Sequence, residues 1–211
     1  DSAVLFGPTT RVIIPYHSEL VPSAGLTFEA WIKPVSTGIQ GGFLAMMGNQ
    51  GWGIVLVCTG AGEGCCSTGS HVTDSIGYWG SSSTTHTCAE MPSSTVAVNR
   101  DRWNHIAVTV AKANAQYNPR GVNTEVCFII NGAGAGCSGD PSFDISAGSS
   151  PNAPLGIGGQ PCDDGVTPCA KMAYNGYMDN VRIWSRPLDE WIVNQYKNTS
   201  SLSSHEMYAD L

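Results

Sequence analysis

Residues 103–111 read WNHIAVTVA, and this stretch decides the fold. Ile106, Val108 and Val110 alternate with His105, Ala107 and Thr109. In a pleated strand successive side chains point to opposite faces, so the bulky aliphatics share one face. His105 takes the outward parity, where a solvated imidazole is expected. The run Val126, Phe128, Ile130 repeats the pattern and ends at Asn131-Gly132, whose tolerance of positive φ marks a turn. Working outward, strand signals recur at Ala3–Phe6, Arg11–Ile14, Leu26–Lys33, Gly42–Met47, Trp52–Cys58, Glu125–Ile130, Leu155–Ile157 and Tyr177–Trp184. All are short and bounded by Gly, Pro, Asn or Ser. One helical signal stands out: behind Pro187, the residues Leu188, Trp191, Ile192 and Gln195 fall at helical spacing, which predicts a surface helix over Leu188–Lys197. Long Gly- and Ser-rich loops are expected around 59–94 and 132–153.

Composition agrees with an all-β chain. Of 211 residues, 42% are hydrophobic and only 13% charged, with 25 Gly and 12 Pro, which suits short strands joined by tight turns. Such a length fits one β-sandwich. The net charge is −7 with 10 Lys+Arg and no basic run, which excludes the electrostatic footprint of a nucleic-acid partner. No apolar run approaches the roughly 18 residues that a membrane-spanning helix needs. The start at Asp1, with no apolar signal core, reads as a mature or trimmed chain.

Eight cysteines, Cys58, Cys65, Cys66, Cys88, Cys127, Cys137, Cys162 and Cys169, are an even number in a Gly-rich chain. They predict disulfides and a secreted, extracellular protein. Cys127 and Cys137 bracket the Asn131-Gly132 turn and are placed to pair across strand ends. Cys162 and Cys169 are placed to close a loop, and the connectivity of the others is open. The adjacent Cys65-Cys66 and the lack of Cys-x-x-Cys spacing argue against zinc. Asn198-Thr199-Ser200 is a sequon for N-glycosylation.

Four segments carry a family resemblance: AVLFGPTTRVIIP (3–15), LTFEAWIKP (26–34), WNHIAVTV (103–110) followed by VCFIING (126–132), and YNGYMDNVRIWSRPLDEWIVNQY (174–196). In this order they resemble a laminin G-like domain of the concanavalin A-like lectin/glucanase group, related to pentraxins and thrombospondin N-terminal domains. The resemblance implies a jelly-roll sandwich of two antiparallel sheets of six or seven strands, over residues 1–198, with 199–211 as a tail that frays or docks. It implies extracellular adhesion, glycan binding or calcium binding, and fold alone does not choose among them. In similar domains an aspartate at the position of Asp179 supports a structural calcium ion, together with carbonyls near the N-terminus, here around Gly7. The parity of Asp179 with Val181 and Ile183 points its carboxylate inward, where an ion, backbone amides or an arginine would have to satisfy it.

Other candidates lie in polar segments. Tyr78 and Trp79 sit between Gly77 and Gly80, and Trp52 between Gly51 and Gly53, each a ring on which a sugar C–H face can stack or one that covers loop backbone. Trp31 has the parity of Glu29, on a concave face or under a loop. Asp163-Asp164-Gly165 offers two carboxylates for calcium or sugar hydroxyls, and is also ordinary turn chemistry. Catalysis lacks its motifs. The paired carboxylates of the Glu-x-Asp-x-x-Glu type that jelly-roll glucanases use do not occur, nor does a Gly-x-Ser-x-Gly elbow or histidines at ligand spacing. The expected role is a non-catalytic module for a glycan or an extracellular protein. The other reading is a coat, filament or appendage subunit forming homo-oligomers through its weakly charged surface.

Overall fold

The computed structural model describes residues 3–35, 42–48, 51–58, 73–80, 91–113, 118, 123–140, 145, 152–161, 173–199 and 207–210. In chain order the strands are β1 Val4–Phe6, β2 Val12–Ile14, β3 Gly25–Pro34, β4 Gly42–Met47, β5 Gly53–Cys58, β6 Thr73–Trp79 and β7 Val98–Asn99. There follow β8 Asn104–Ala111, β9 Thr124–Ile130, β10 Ala133–Asp140, β11 Leu155–Ile157, β12 Gly176–Trp184, the helix α1 Glu190–Tyr196, and β13 Met207–Asp210. Two antiparallel sheets result. One has seven strands in the order β1-β12-β3-β8-β9-β10, with β13 also on β12; the other has the order β2-β11-β4-β5-β6-β7.

The alternation seen in the sequence builds the core. Phe28, Ile32, Ile106, Val108, Val110, Phe128 and Ile183 of the first sheet face Ile54, Leu56, Ile76, Leu155 and Ile157 of the second, all at most 3% exposed. Each such side chain contributes roughly 1.5–3 kcal/mol by burial. Thus period-two patterning becomes two packed layers. At one end of the second sheet Arg100 grips Asp74 bidentately, Nε to Oδ2 and Nη2 to Oδ1 both at 2.8 Å, and joins β7 to β6 with both side chains out of water.

Several expectations change. The intervals expected as long loops each contain a strand, β6 and β10, because pairing with β5 and β9 overrides weak local propensity. The helix is shorter than expected, with Asp189 as its N-cap residue. Leu188 precedes the cap and packs with Val193 in the second turn, an apolar staple that fixes the entry angle. In the tail, β13 docks antiparallel against Arg182–Trp184.

Asp179 does not point into the core. A bulge lies between Asp179 and Arg182, where Asn180 adopts φ 48°, so one extra residue resets the parity. Met178, Val181 and Ile183 are the buried residues, while Asp179 sits opposite Trp31 on the outer face. The outward His105 is likewise not solvated. It is 1% exposed, because α1 and its following turn lie across this face.

Candidate functional site

Cross-strand register assembles an aromatic surface on the outer face. Leu5 pairs with Tyr177, Tyr177 with Lys33, and the pairing of Ile32 with Asn104 sets Trp103 beside Lys33. Directly opposed residues share a face. The four side chains therefore form one row across β1, β12, β3 and the start of β8, spanning three strand spacings, about 14 Å. Leu5 is 53% and Trp103 42% exposed, with Tyr177 and Lys33 half-buried between them. The Trp103 and Tyr177 rings have centroids 6.4 Å apart at 57°, within the range for tilted aromatic pairs, and Lys33 Nζ lies 5.8 Å from the Tyr177 centroid. Each ring holds the other in place.

The row stays open because α1 stops short of it. Lys197 O, just past the helix, accepts a 2.8 Å bond from Trp31 Nε1, and the Trp31 ring packs edge-on to His105 at 5.3 Å. That contact closes the adjoining row, Asp179–Trp31–His105, and leaves the next uncovered. Below the helix is a buried polar cluster. Glu29 Oε1 accepts from Arg182 Nη1 at 3.1 Å and Trp184 Nε1 at 3.2 Å, while Glu29 Oε2 lies 3.5 Å from His105 Nε2. Arg182 also donates to the carbonyls of Tyr196 and Thr199, so one guanidinium ties sheet, helix end and tail together. The cluster sets where the helix ends, and hence where the open surface begins.

Chemically, the row offers two ring faces against which apolar C–H groups can stack, and an ammonium that donates to hydroxyl or carboxylate oxygens. Asp179, two residues along β12 from Tyr177, adds an acceptor; its Oδ1 already takes the Asn180 amide at 2.8 Å. A strip of this length accommodates more than one sugar ring.

The residues singled out from the sequence fall elsewhere. Trp52 is fully buried and donates Nε1–H to Leu20 O at 2.8 Å, so it covers backbone and is no platform. Tyr78 is also fully buried, because it shares the inward parity of Ile76. Trp79 points the other way, half-buried, and packs edge-on against Phe43 at 6.1 Å. Gly7 and Asp179, the residues expected around a calcium ion, lie apart. Extending the β1–β12 register sets them four residues apart along the strands, about 13 Å. Each already has a local partner, since Gly7 O accepts the Thr10 amide. Asp163, Asp164, Cys65, Cys66, Cys88, Cys162 and Cys169 lie outside the described residues, and Cys58 ends β5. Cys127 and Cys137 are bonded across directly paired positions of β9 and β10, as their spacing around the turn suggested. Glu125 lies close to both sulfurs, but with these joined the trio is not a metal centre. Asn198 is exposed just after α1. Sequence reading passed over Trp103 and Tyr177, although the alternation that turned His105 outward does the same for Trp103.

Comparison with known proteins follows the architecture. The family model Laminin_G_3, described as the concanavalin A-like lectin/glucanases superfamily, matches residues 6–193. A candidate carbohydrate-binding protein from Bacteroides ovatus superposes with a TM-score of 0.64 at 16% identity, over 99% of this chain and 50% of that one. A heptameric SAP-like pentraxin from Limulus polyphemus gives 0.59 at 15% identity, over 91% and 76%. Domain 4 of AbnA, an extracellular arabinanase from Geobacillus stearothermophilus solved with arabinotriose, gives 0.55 at 17% identity, over 92% and 75%. At these identities the likeness is one of fold. Among curated proteins, none matches the sequence.

Proposed function

The chain belongs to the concanavalin A-like lectin/glucanases superfamily, and from that membership we propose that it is an extracellular, non-catalytic carbohydrate-binding module whose sugar lies along Leu5, Tyr177, Lys33 and Trp103. The observation that carries this reading is the exposed Trp103 ring packed against the half-buried Tyr177 ring at one end of the outer face. An exposed tryptophan held in fixed geometry by a second ring is a platform that stacking on a sugar would use. Two of the structural neighbours support a carbohydrate ligand: the Bacteroides ovatus protein by its description, and the arabinanase domain by the arabinotriose bound to it. The Cys127–Cys137 disulfide suits an oxidising compartment.

The charge pattern supports a binding role as well. Hydrolysis of a glycosidic bond needs two carboxyl groups about 5–10 Å apart across the bond. Among the described residues of the open row and the row beside it, Asp179 is the sole carboxylate. Asp179 and Lys33 serve instead to orient hydroxyls. A glycan array probed with the intact chain and with Trp103→Ala and Tyr177→Ala tests the reading. Binding of a defined subset of glycans by the intact chain, lost in both variants while circular dichroism is unchanged, is the expected result. Undiminished binding by Trp103→Ala, or no glycan bound by the intact chain, overturns it.

A further inference from the structure

Most described cations of the chain are held by the fold. Arg100 is bound to Asp74 and Arg182 to Glu29, Lys112 donates to Ile145 O, Lys197 to Asn194 Oδ1 and Arg11 to Gln160 O. Lys33 and Arg102 differ, since neither side chain has a hydrogen-bond or ion-pair partner among the described residues. Both adjoin Trp103. Arg102 precedes it in the chain, in the turn before β8, and the β3–β8 register sets Lys33 beside it.

Lys33 is the more informative of the two. Its side chain is half-buried, and its ammonium is placed against a ring face, Nζ lying 5.8 Å from the Tyr177 centroid. Packing a charge against rings removes part of its water, and a cation–π contact replaces only part of that loss. A sugar stacked on Trp103 removes more, because the Trp103 and Tyr177 rings stand 6.4 Å apart across Lys33. The nearby acids leave this charge unanswered. Asp101 is engaged in a contact of its own. Asp179 lies diagonal to Lys33 without pairing with it, takes the Asn180 amide on Oδ1, and is two strand spacings and two residues from Trp103, about 12 Å.

We propose that the row selects acidic sugars: a carboxylate or sulfate group on the ring stacked at Trp103 pairs with the Lys33 ammonium, and Arg102 adds positive potential at the same end. This inference rests on the reading of the row as a sugar site and adds the class of sugar. A hydrogen bond between two ions is roughly twice as strong as one between neutral groups, and the difference grows where water is excluded. A neutral hydroxyl accepts from the same ammonium but leaves its charge uncompensated beside two rings. An amino sugar meets a like charge there. An ammonium is a compact point charge with three rotatable donors, so a planar carboxylate and a tetrahedral sulfate suit it equally. The preference is local: the chain as a whole carries a net charge of −7, which repels polyanions everywhere except where unpaired cations gather.

A glycan array of the intact chain tests the proposal, printed with uronic-acid oligosaccharides, sulfated oligosaccharides, the carboxyl-methylated or desulfated form of each, and unrelated neutral glycans. The acidic member of at least one pair is expected to bind about tenfold more tightly than its neutralised form, on the usual strength of hydrogen bonds to charged groups, and the pair with the larger difference identifies the carboxylate or the sulfate as the source. In Lys33→Gln the two members of that pair bind alike. Raising sodium chloride from about 0.05 M to about 0.5 M narrows the difference for the intact chain, a readout that needs no variant. Binding of neutral glycans as tightly as acidic ones, or a preference undiminished in Lys33→Gln and insensitive to salt, overturns this inference and leaves the row as a sugar site. Absence of binding to any glycan overturns both.

Discussion

Removing the guanidinium of Arg182 should uncouple the helix from the sheet, and the cost can be worked from its contacts. Glu29 and Arg182 are directly opposed on β3 and β12, each 1% exposed at the side chain, with Nη1 3.1 Å from Oε1. In Arg182→Met the Glu29 carboxylate stays buried with only Trp184 Nε1–H and His105 beside it, and Thr199 O loses the guanidinium donor, while Tyr196 O keeps the Thr199 amide and hydroxyl. Breaking one side of a buried pair costs about 3–5 kcal/mol. Replacing both charges by methionine removes the stranded carboxylate, and leaves mainly Thr199 O and the Trp184 indole N–H without partners, at about 1 kcal/mol each. Urea unfolding followed by far-ultraviolet circular dichroism should therefore show Arg182→Met destabilised by about 3–5 kcal/mol, and Glu29→Met/Arg182→Met by about 2 kcal/mol. Amide exchange across 190–197 should quicken in the single variant. A single variant within about 1 kcal/mol of the parent, or a double variant worse than the single, would refute the reasoning.

Other outcomes follow from individual contacts. Gly158→Ala should be severely destabilising, because φ is 79° and a Cβ would fall 2.0 Å from the Phe6 ring that anchors β1; a thermal scan reads it directly. Asn180→Ala should cost about 1 kcal/mol in urea unfolding and Asn180→Gly should not, since the bulge needs a left-handed residue there. Trp52→Phe should lose about 1–3 kcal/mol by leaving Leu20 O without its buried donor, with glycan binding unaffected. Cys127→Ala/Cys137→Ala should lose no more than about 3 kcal/mol, because the closed loop is short and the hairpin survives through its ladder.

What could be read from the sequence was whatever depends on local periodicity. The alternations of residues 26–33 and 103–111 predicted β3 and β8, and the Asn131-Gly132 turn between β9 and β10 followed from its tolerance of positive φ. β10 stayed hidden because AGAGCSGD has neither β-branched nor aromatic residues; its partner β9 and the disulfide hold it extended. β6 was obscured by the Gly- and Ser-rich interval around it, and pairing with β5 and β7 holds it extended. The inward expectation for Asp179 failed on one residue, because a bulge at Asn180 is a local backbone choice that reverses every later parity. Burial of His105 depends on where α1 lies, which no strand pattern contains.

The site was less legible than the fold for a related reason. Leu5, Lys33, Trp103 and Tyr177 come from separate parts of the chain, and only strand order and register bring them into one row. Glycine-flanked aromatics drew attention to Trp52 and Tyr78 instead. Flanking glycines mark exposure in loops, whereas here Trp52 adjoins β5 and Tyr78 lies within β6, where alternation turned Tyr78 inward.

The central claim is that sugar binds the uncovered end of the seven-stranded sheet, and the indole N–H resonances report on it most directly. Titration of the intact chain with the glycan that scores highest on the array should shift the Trp103 indole signal saturably, with the Tyr177 ring protons following and the buried Trp52 indole unmoved. A Trp103 signal that stays in place while other residues saturate would contradict the account.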